Sequence, residues 1–216
     1  VNFKGKTRED QLILSSAQQN AFEAIKESFL TKEVCLLHGV TSSGKTEIYI
    51  KLIEEYIATE SRVLYLLPEI ALTTQLVERL RSYFGNKVAI FHSKYNNNER
   101  VEVWKNVLEN SAKAQIVIGA RSALFLPFSN LEFIIIDEEH EQTFKQQDPA
   151  PRYHARDSAI VLANFHKAKV ILGSATPSIE TYYNALNNKY GLVEITERFG
   201  KVRLPDIVLV DLKDKY

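Results

Sequence analysis

The run Val34-Cys-Leu-Leu-His38, followed at once by Gly39-Val-Thr-Ser-Ser-Gly44-Lys45-Thr46, decides the fold. The first five residues read as a buried strand, and the residues from 45 to 58 carry helical periodicity. Between them lies the pattern G-x-x-x-x-G-K-[ST] in the strand-loop-helix setting that gives it chemical meaning. Glycines let backbone N–H groups turn toward phosphate oxygens, the following helix presents its positive end, and Lys45 supplies a mobile cation. The Thr46 hydroxyl is suited to Mg²⁺. Gly39, Val40, Thr41, Ser42, Ser43, Gly44, Lys45 and Thr46 thus form a candidate nucleoside-triphosphate cradle. A chance Gly/Ser-rich turn would match the letters without the flanking elements.

Outward from this loop, apolar β-branched runs recur at residues 63–67, 88–91, 116–118, 133–137 and 170–172. Helical stretches alternate with them at 16–30, 71–83, 97–109, 154–165 and 178–186. Such alternation implies parallel crossovers and one α/β domain with strands buried on both faces. The one long irregular stretch, 141–153, is of the kind that is more often functional than accidental. Of 216 residues, 45% are hydrophobic and 25% charged, ordinary for a globular chain, and no apolar run reaches bilayer length, so no membrane role is expected. Basic and acidic residues balance at 27 each, so bulk charge gives no argument for a nucleic-acid partner. The lone Cys35 excludes an internal disulfide and reads as a small buried hydrophobe in a reducing compartment. A start at Val1 and the absence of methionine suggest a cut piece, with no visible leader peptide.

Two further runs end in chemistry. Phe133-Ile-Ile-Ile-Asp137-Glu138-Glu139-His140 is a strand that delivers acids to the ligand edge of a parallel sheet. There Asp137 can hold the Mg²⁺ and Glu138 can accept a proton from the attacking water, which with Lys45 makes the catalytic set. Taken alone the acids also fit a solvated turn. Val170-Ile-Leu-Gly173-Ser174-Ala175-Thr176-Pro177-Ser178 ends another strand with hydroxyl residues and a proline that sets the next helix, and alone it reads as a helix cap.

In order, GVTSSGKT, DEEH and GSATPS resemble motifs I, II and III of superfamily 2 helicases. The stretches LLPEIALTTQ (66–75), GARSALFLPF (119–128) and DEEHEQTFKQQDPAPRYHARD (137–157) narrow the resemblance to the primosomal protein N′ family, called PriA, over nearly the whole chain from Leu14. The resemblance implies a RecA-like P-loop NTPase fold of the α/β class, with a mainly parallel sheet and helices on both faces. It implies a leading segment at 1–13, the first RecA-like helicase lobe at 14–190, and at 191–216 an extension toward an absent second lobe and zinc-binding region. It also implies ATP and Mg²⁺ as cofactors, zinc only in the absent part, and a bacterial, cytoplasmic, nucleoid-associated enzyme that unwinds DNA 3′ to 5′ at stalled replication forks. Its partners would be forked or single-stranded DNA, replication-restart proteins and single-stranded-DNA-binding protein.

Carried over residue by residue, the resemblance makes Gln18 an adenine sensor, with Gln19 as a second register. Arg121 and Ser122 fall in a DNA-backbone motif, though Arg121 also fits a solvated loop. His140, Ser174 and Thr176 would link the nucleotide site to the DNA channel. The loop 141–156 resembles the family's aromatic-rich loop: Phe144, Tyr153 and His154 suit base stacking, and Lys145, Arg152 and Arg156 suit phosphates. The residues alone also fit a surface loop pinned by aromatics. Without second-lobe arginines the chain is expected to bind ATP·Mg²⁺ weakly, hydrolyse it slowly and unwind nothing. Another superfamily 2 translocase, or a nucleotide-dependent switch module, remains the alternative.

Overall fold

The computed structural model describes residues 12–92 and 95–198. Residues 1–11 of the leading segment and 199–216 of the C-terminal extension lie outside the described residues. Seven strands, β1 (Val34–Gly39), β2 (Arg62–Leu66), β3 (Val88–Phe91), β4 (Ile116–Gly119), β5 (Leu131–Asp137), β6 (Lys169–Ser174) and β7 (Gly191–Ile195), form one sheet. Its order is β3-β4-β2-β5-β6-β1-β7, and every neighbouring pair is parallel. The helices are α1 (Ser16–Ser28), α2 (Lys45–Ala58), α3 (Thr74–Phe84), α4 (Asn97–Leu108), α5 (Ala155–His166) and α6 (Ile179–Leu186).

Continuous apolar runs make sense because successive strand residues enter different cores. Phe133 and Ile135 of β5, with Cys35 and Leu37 of β1, join α1, α2 and α3 in one cluster. Ile134 and Ile136, with Val34 and Leu36, join α5, α6 and Val107 of α4 in the other. The sheet therefore has helices on both faces, as the alternation implied.

Two elements differ from the sequence reading. Helix α3 begins at Thr74 rather than near 71, because the Thr73 hydroxyl accepts the Leu76 N–H at 3.3 Å and fixes the start there. Strand β7 was not anticipated: its residues fall in the stretch read as an extension, yet they pair with β1 from Cys35↔Gly191 to Gly39↔Ile195. It is a short edge strand, with Glu194 exposed and only Val193 and Ile195 buried, so its own pattern is weak. The long stretch 141–153 is closed at its neck by an antiparallel bridge, Lys145↔His154, and by the Gln146 N–H donating to the Tyr153 carbonyl at 2.9 Å.

Candidate nucleotide and nucleic-acid site

Strands β5, β6 and β1 are neighbours in the sheet. Their carboxyl ends carry the three motifs, so residues about a hundred positions apart in the chain meet at one edge, where open parallel sheets bind ligands. A cleft of about 380 Å³ opens there, lined by Thr41 to Glu47, Arg79, Asp137 and Glu138. A larger cavity of about 910 Å³, lined by Thr31, Lys32, Lys167 and Tyr190 among others, lies beside the start of β1 and β6 and contains none of the motif residues.

The phosphate loop is held open by backbone conformation. Ser42 and Gly44 both have positive φ, 64° and 83°, and Gly44 caps α2 without any side-chain hydrogen bond. The positive end of α2 is thus left for an anion. Two side chains in the loop lack anionic partners: Lys45, 9% exposed, donates to the Gly39 carbonyl of its own loop at 3.0 Å, and the Ser43 hydroxyl is buried without a hydrogen-bond partner. Both fit a bound triphosphate.

Gln18 is fully buried behind this loop. Its Oε1 accepts the Ser15 N–H at 2.8 Å within a capping box, and its Nε2 donates to the Gly44 carbonyl at 3.3 Å. In this structure Gln18 braces the phosphate loop from within.

Asp137 ends β5 at the floor of the cleft. Its Oδ1 accepts from the Tyr49 hydroxyl at 3.1 Å and the Glu138 N–H at 3.2 Å, and its Oδ2 accepts from the Tyr65 hydroxyl at 3.2 Å. Burial pushes its carboxyl up to about 6, Glu138 pushes the same way, and Lys45 and the two phenols oppose them. A half-buried carboxylate that lines the same cleft as Thr46 provides hard-oxygen donors that suit Mg²⁺. Glu138 adopts a left-handed backbone, φ 51°. Tyr49, Tyr65, Glu47 and Arg79 escaped sequence reading. The tyrosines look like ordinary core positions, and Arg79 of α3 reaches the cleft only through the fold, where it pairs with Glu47 of α2.

From the acids the contacts continue to the third motif. His140 Nδ1 is 2.8 Å from the Ser174 hydroxyl and its Nε2 is 3.3 Å from the Thr176 hydroxyl. Ser174 is buried and Thr176 exposed, so His140 touches one hydroxyl inside the fold and one at its surface. Glu139, fully buried, accepts the Ser178 N–H at 2.7 Å, the Thr181 hydroxyl at 2.8 Å and Arg156 Nη1 at 3.0 Å. Arg156 is only 8% exposed and also binds Asp157. Its assignment to DNA phosphate is corrected, because its guanidinium is committed to a buried ion pair.

The aromatic-rich loop needs a second correction. Phe144 is 1% exposed and packs in the α5 side of the core, where no base can stack on it. The exposed ring here is Phe125, 67% exposed and absent from the sequence-based set; it meets half-buried Tyr153 edge-to-face at 5.2 Å. Lys145 and Arg152 are exposed beside this loop's neck. Arg121 Nη1 donates to the carbonyls of Thr143 and Lys145 at 3.3 and 3.0 Å, tying the loop to the turn after β4 that also holds Ser122. His154 is half-buried, and burial and then Arg156 push its imidazole below its ordinary pKa.

With this geometry in place, comparison with known proteins is specific. The profile of the DEAD/DEAH box helicase family matches residues 15–185. The chain is 43% identical over 208 residues to replication restart protein PriA of Bacillus subtilis, covering 95% of this chain and 26% of that protein. Identity is 44% over 209 residues to the Haemophilus influenzae protein of that name, covering 96% and 28%. The chain thus spans under a third of these relatives' length. Among solved structures, the helicase MrfA bound to DNA superposes with TM-score 0.61 at 21% identity, covering 86% of this chain and 27% of that one. RecG bound to a three-way DNA junction gives 0.60 at 20%, covering 85% and 24%. Both share the fold.

Proposed function

This chain belongs to the DEAD/DEAH box helicase family, and from that premise we propose that it is the ATP-binding lobe of a PriA-like DNA helicase that couples ATP hydrolysis to 3′ to 5′ movement on DNA during replication restart. The observation that carries the reading is the convergence of the phosphate loop, the Asp137-Glu138 pair and the Ser174-to-Thr176 segment on three adjacent strand ends.

In this reading Lys45 leaves the Gly39 carbonyl for the triphosphate, and backbone N–H groups between Gly39 and Thr46 hold its oxygens. Thr46 and Asp137 would hold Mg²⁺, which when bound neutralises charge on the phosphates. Glu138 takes the proton of the attacking water. His140 passes the state of the site to Ser174 and Thr176. On the DNA side, Lys145 and Arg152 neutralise phosphates, Ser122 contacts the backbone, and Tyr153 with Phe125 offers a stacking surface. Replication-restart proteins and single-stranded-DNA-binding protein are the proposed partners, in a bacterial cytoplasm. Among the described residues no helix is long and apolar enough to cross a membrane.

The test is ATP turnover by the full-length protein with and without single-stranded DNA. Stimulation by DNA that is lost with Lys45→Ala, together with weaker nucleotide binding by calorimetry, is the expected result. Turnover indifferent to DNA would instead favour a nucleotide switch.

A further inference from the structure

We propose that Tyr49 and Tyr65 are positioning residues of the metal site. Their buried hydroxyls fix the Asp137 carboxylate, and Gly173 leads the third motif because it leaves the space through which Tyr49 reaches that carboxylate. The proposal rests on the reading of this cleft as an ATP·Mg²⁺ site.

Both tyrosines are fully buried, and their rings meet edge-to-face with centroids 5.7 Å apart. A buried phenol needs a partner for its hydroxyl, and each finds a different oxygen of the same carboxylate. An ionised carboxylate offers about four acceptor positions. On Asp137 the Tyr49 hydroxyl and the Glu138 N–H occupy Oδ1 and the Tyr65 hydroxyl occupies one side of Oδ2. One position on Oδ2 remains for a cation or its bound water.

The two hydroxyls come from elements that matter to the site. Tyr49 lies on α2 one turn after Thr46, so the helix that begins in the phosphate loop also grips the acid. Tyr65 lies on β2, opposite Ile135 of the strand that delivers Asp137. Gly173 of β6 is opposite Asp137 itself, and a Cβ there would stand 1.8 Å from Tyr49 Oη and 3.1 Å from Asp137 Oδ1. Any side chain at 173 must displace the phenol.

The experiment titrates the chain with a fluorescent non-hydrolysable ATP analogue, first in EDTA and then across a range of free Mg²⁺. Tyr49→Phe and Tyr65→Phe should each raise the Mg²⁺ needed for half the effect by roughly tenfold while affinity in EDTA stays within about twofold. Gly173→Ala should act like Tyr49→Phe, and combining those two should add little, since both remove one contact. An unchanged Mg²⁺ dependence in both phenylalanine variants, with circular dichroism showing the native fold, overturns the proposal. So does an equal loss of affinity in EDTA and in Mg²⁺, which marks a merely structural role. If Gly173→Ala fails to fold, the phenylalanine variants decide alone. Analogue binding by the unaltered chain that ignores Mg²⁺ would overturn the underlying site reading as well.

Discussion

Glu138 holds a conformation that non-glycine residues adopt only when their surroundings impose it. Its N–H is tied to Asp137 Oδ1 in the turn that follows β5, and the proposed function divides these two adjacent acids between the cation and the attacking water. Glu138→Gln should leave nucleotide affinity intact while turnover of the full-length enzyme falls by a factor of roughly a hundred to ten thousand; steady-state kinetics showing unchanged turnover would remove Glu138 from the base's role. The aromatics divide just as sharply. Phe144→Ala should cost about 3–5 kcal/mol in urea unfolding, as deletion of a core ring does. Phe125→Ala should leave stability nearly unchanged and weaken single-stranded DNA binding of the full-length protein by about 1–3 kcal/mol, read by fluorescence anisotropy. Sequence composition marked Phe144 because it lies among cations and aromatics. Only packing reveals that it faces the core while Phe125, in the turn after β4, faces solvent.

Helices α5 and α6 and the end of β5 are joined through one buried carboxylate. Glu139 sits at the N-terminal end of α6, where its charge meets the Ser178 N–H and the helix's positive end. Arg156 brings the first turn of α5 to the same point. Replacing Glu139 by Ala would leave the buried Arg156 guanidinium with only the exposed Asp157 as its counter-charge and remove the acceptor of the Ser178 N–H and the Thr181 hydroxyl, at a cost of about 3–5 kcal/mol in chemical denaturation. A Glu139→Ala loss well below that range would show that solvent relaxes into the gap. At this scale the sequence was largely legible: the strands that carry the motifs and the helices after them were found within a few residues. What was not legible has separate causes. Strand β7 depends on β1 for its hydrogen bonds, Thr73 acts on the start of α3 by a local cap, and Tyr49 and Tyr65 carry the apolar periodicity of core residues while their hydroxyls serve Asp137.

Across the whole molecule, the all-parallel sheet places its chemistry on one rim. Among the described residues, Lys45 and Arg79 are the cations lining the cleft, and Arg79 is engaged by Glu47. An arginine supplied from another lobe contributes a rate factor of about 10³ or more in related phosphoryl-transfer sites. On the proposal that such an arginine comes from a second lobe, residues 1–216 tested alone should hydrolyse ATP slowly and separate no strands; a fluorescent unwinding assay giving displaced product would contradict this. The strand order carries one more consequence. Strand β1, which leads into the phosphate loop, pairs on one side with β6 and on the other with β7. The cradle encoded near residue 40 thus has no sheet neighbour until more than a hundred further residues have been synthesised, roughly 6 to 26 seconds at ordinary ribosomal speeds. The hydrogen-bonded ladder that anchors the phosphate loop therefore closes late in synthesis, after the helices α1 and α2 that share its core have already been made.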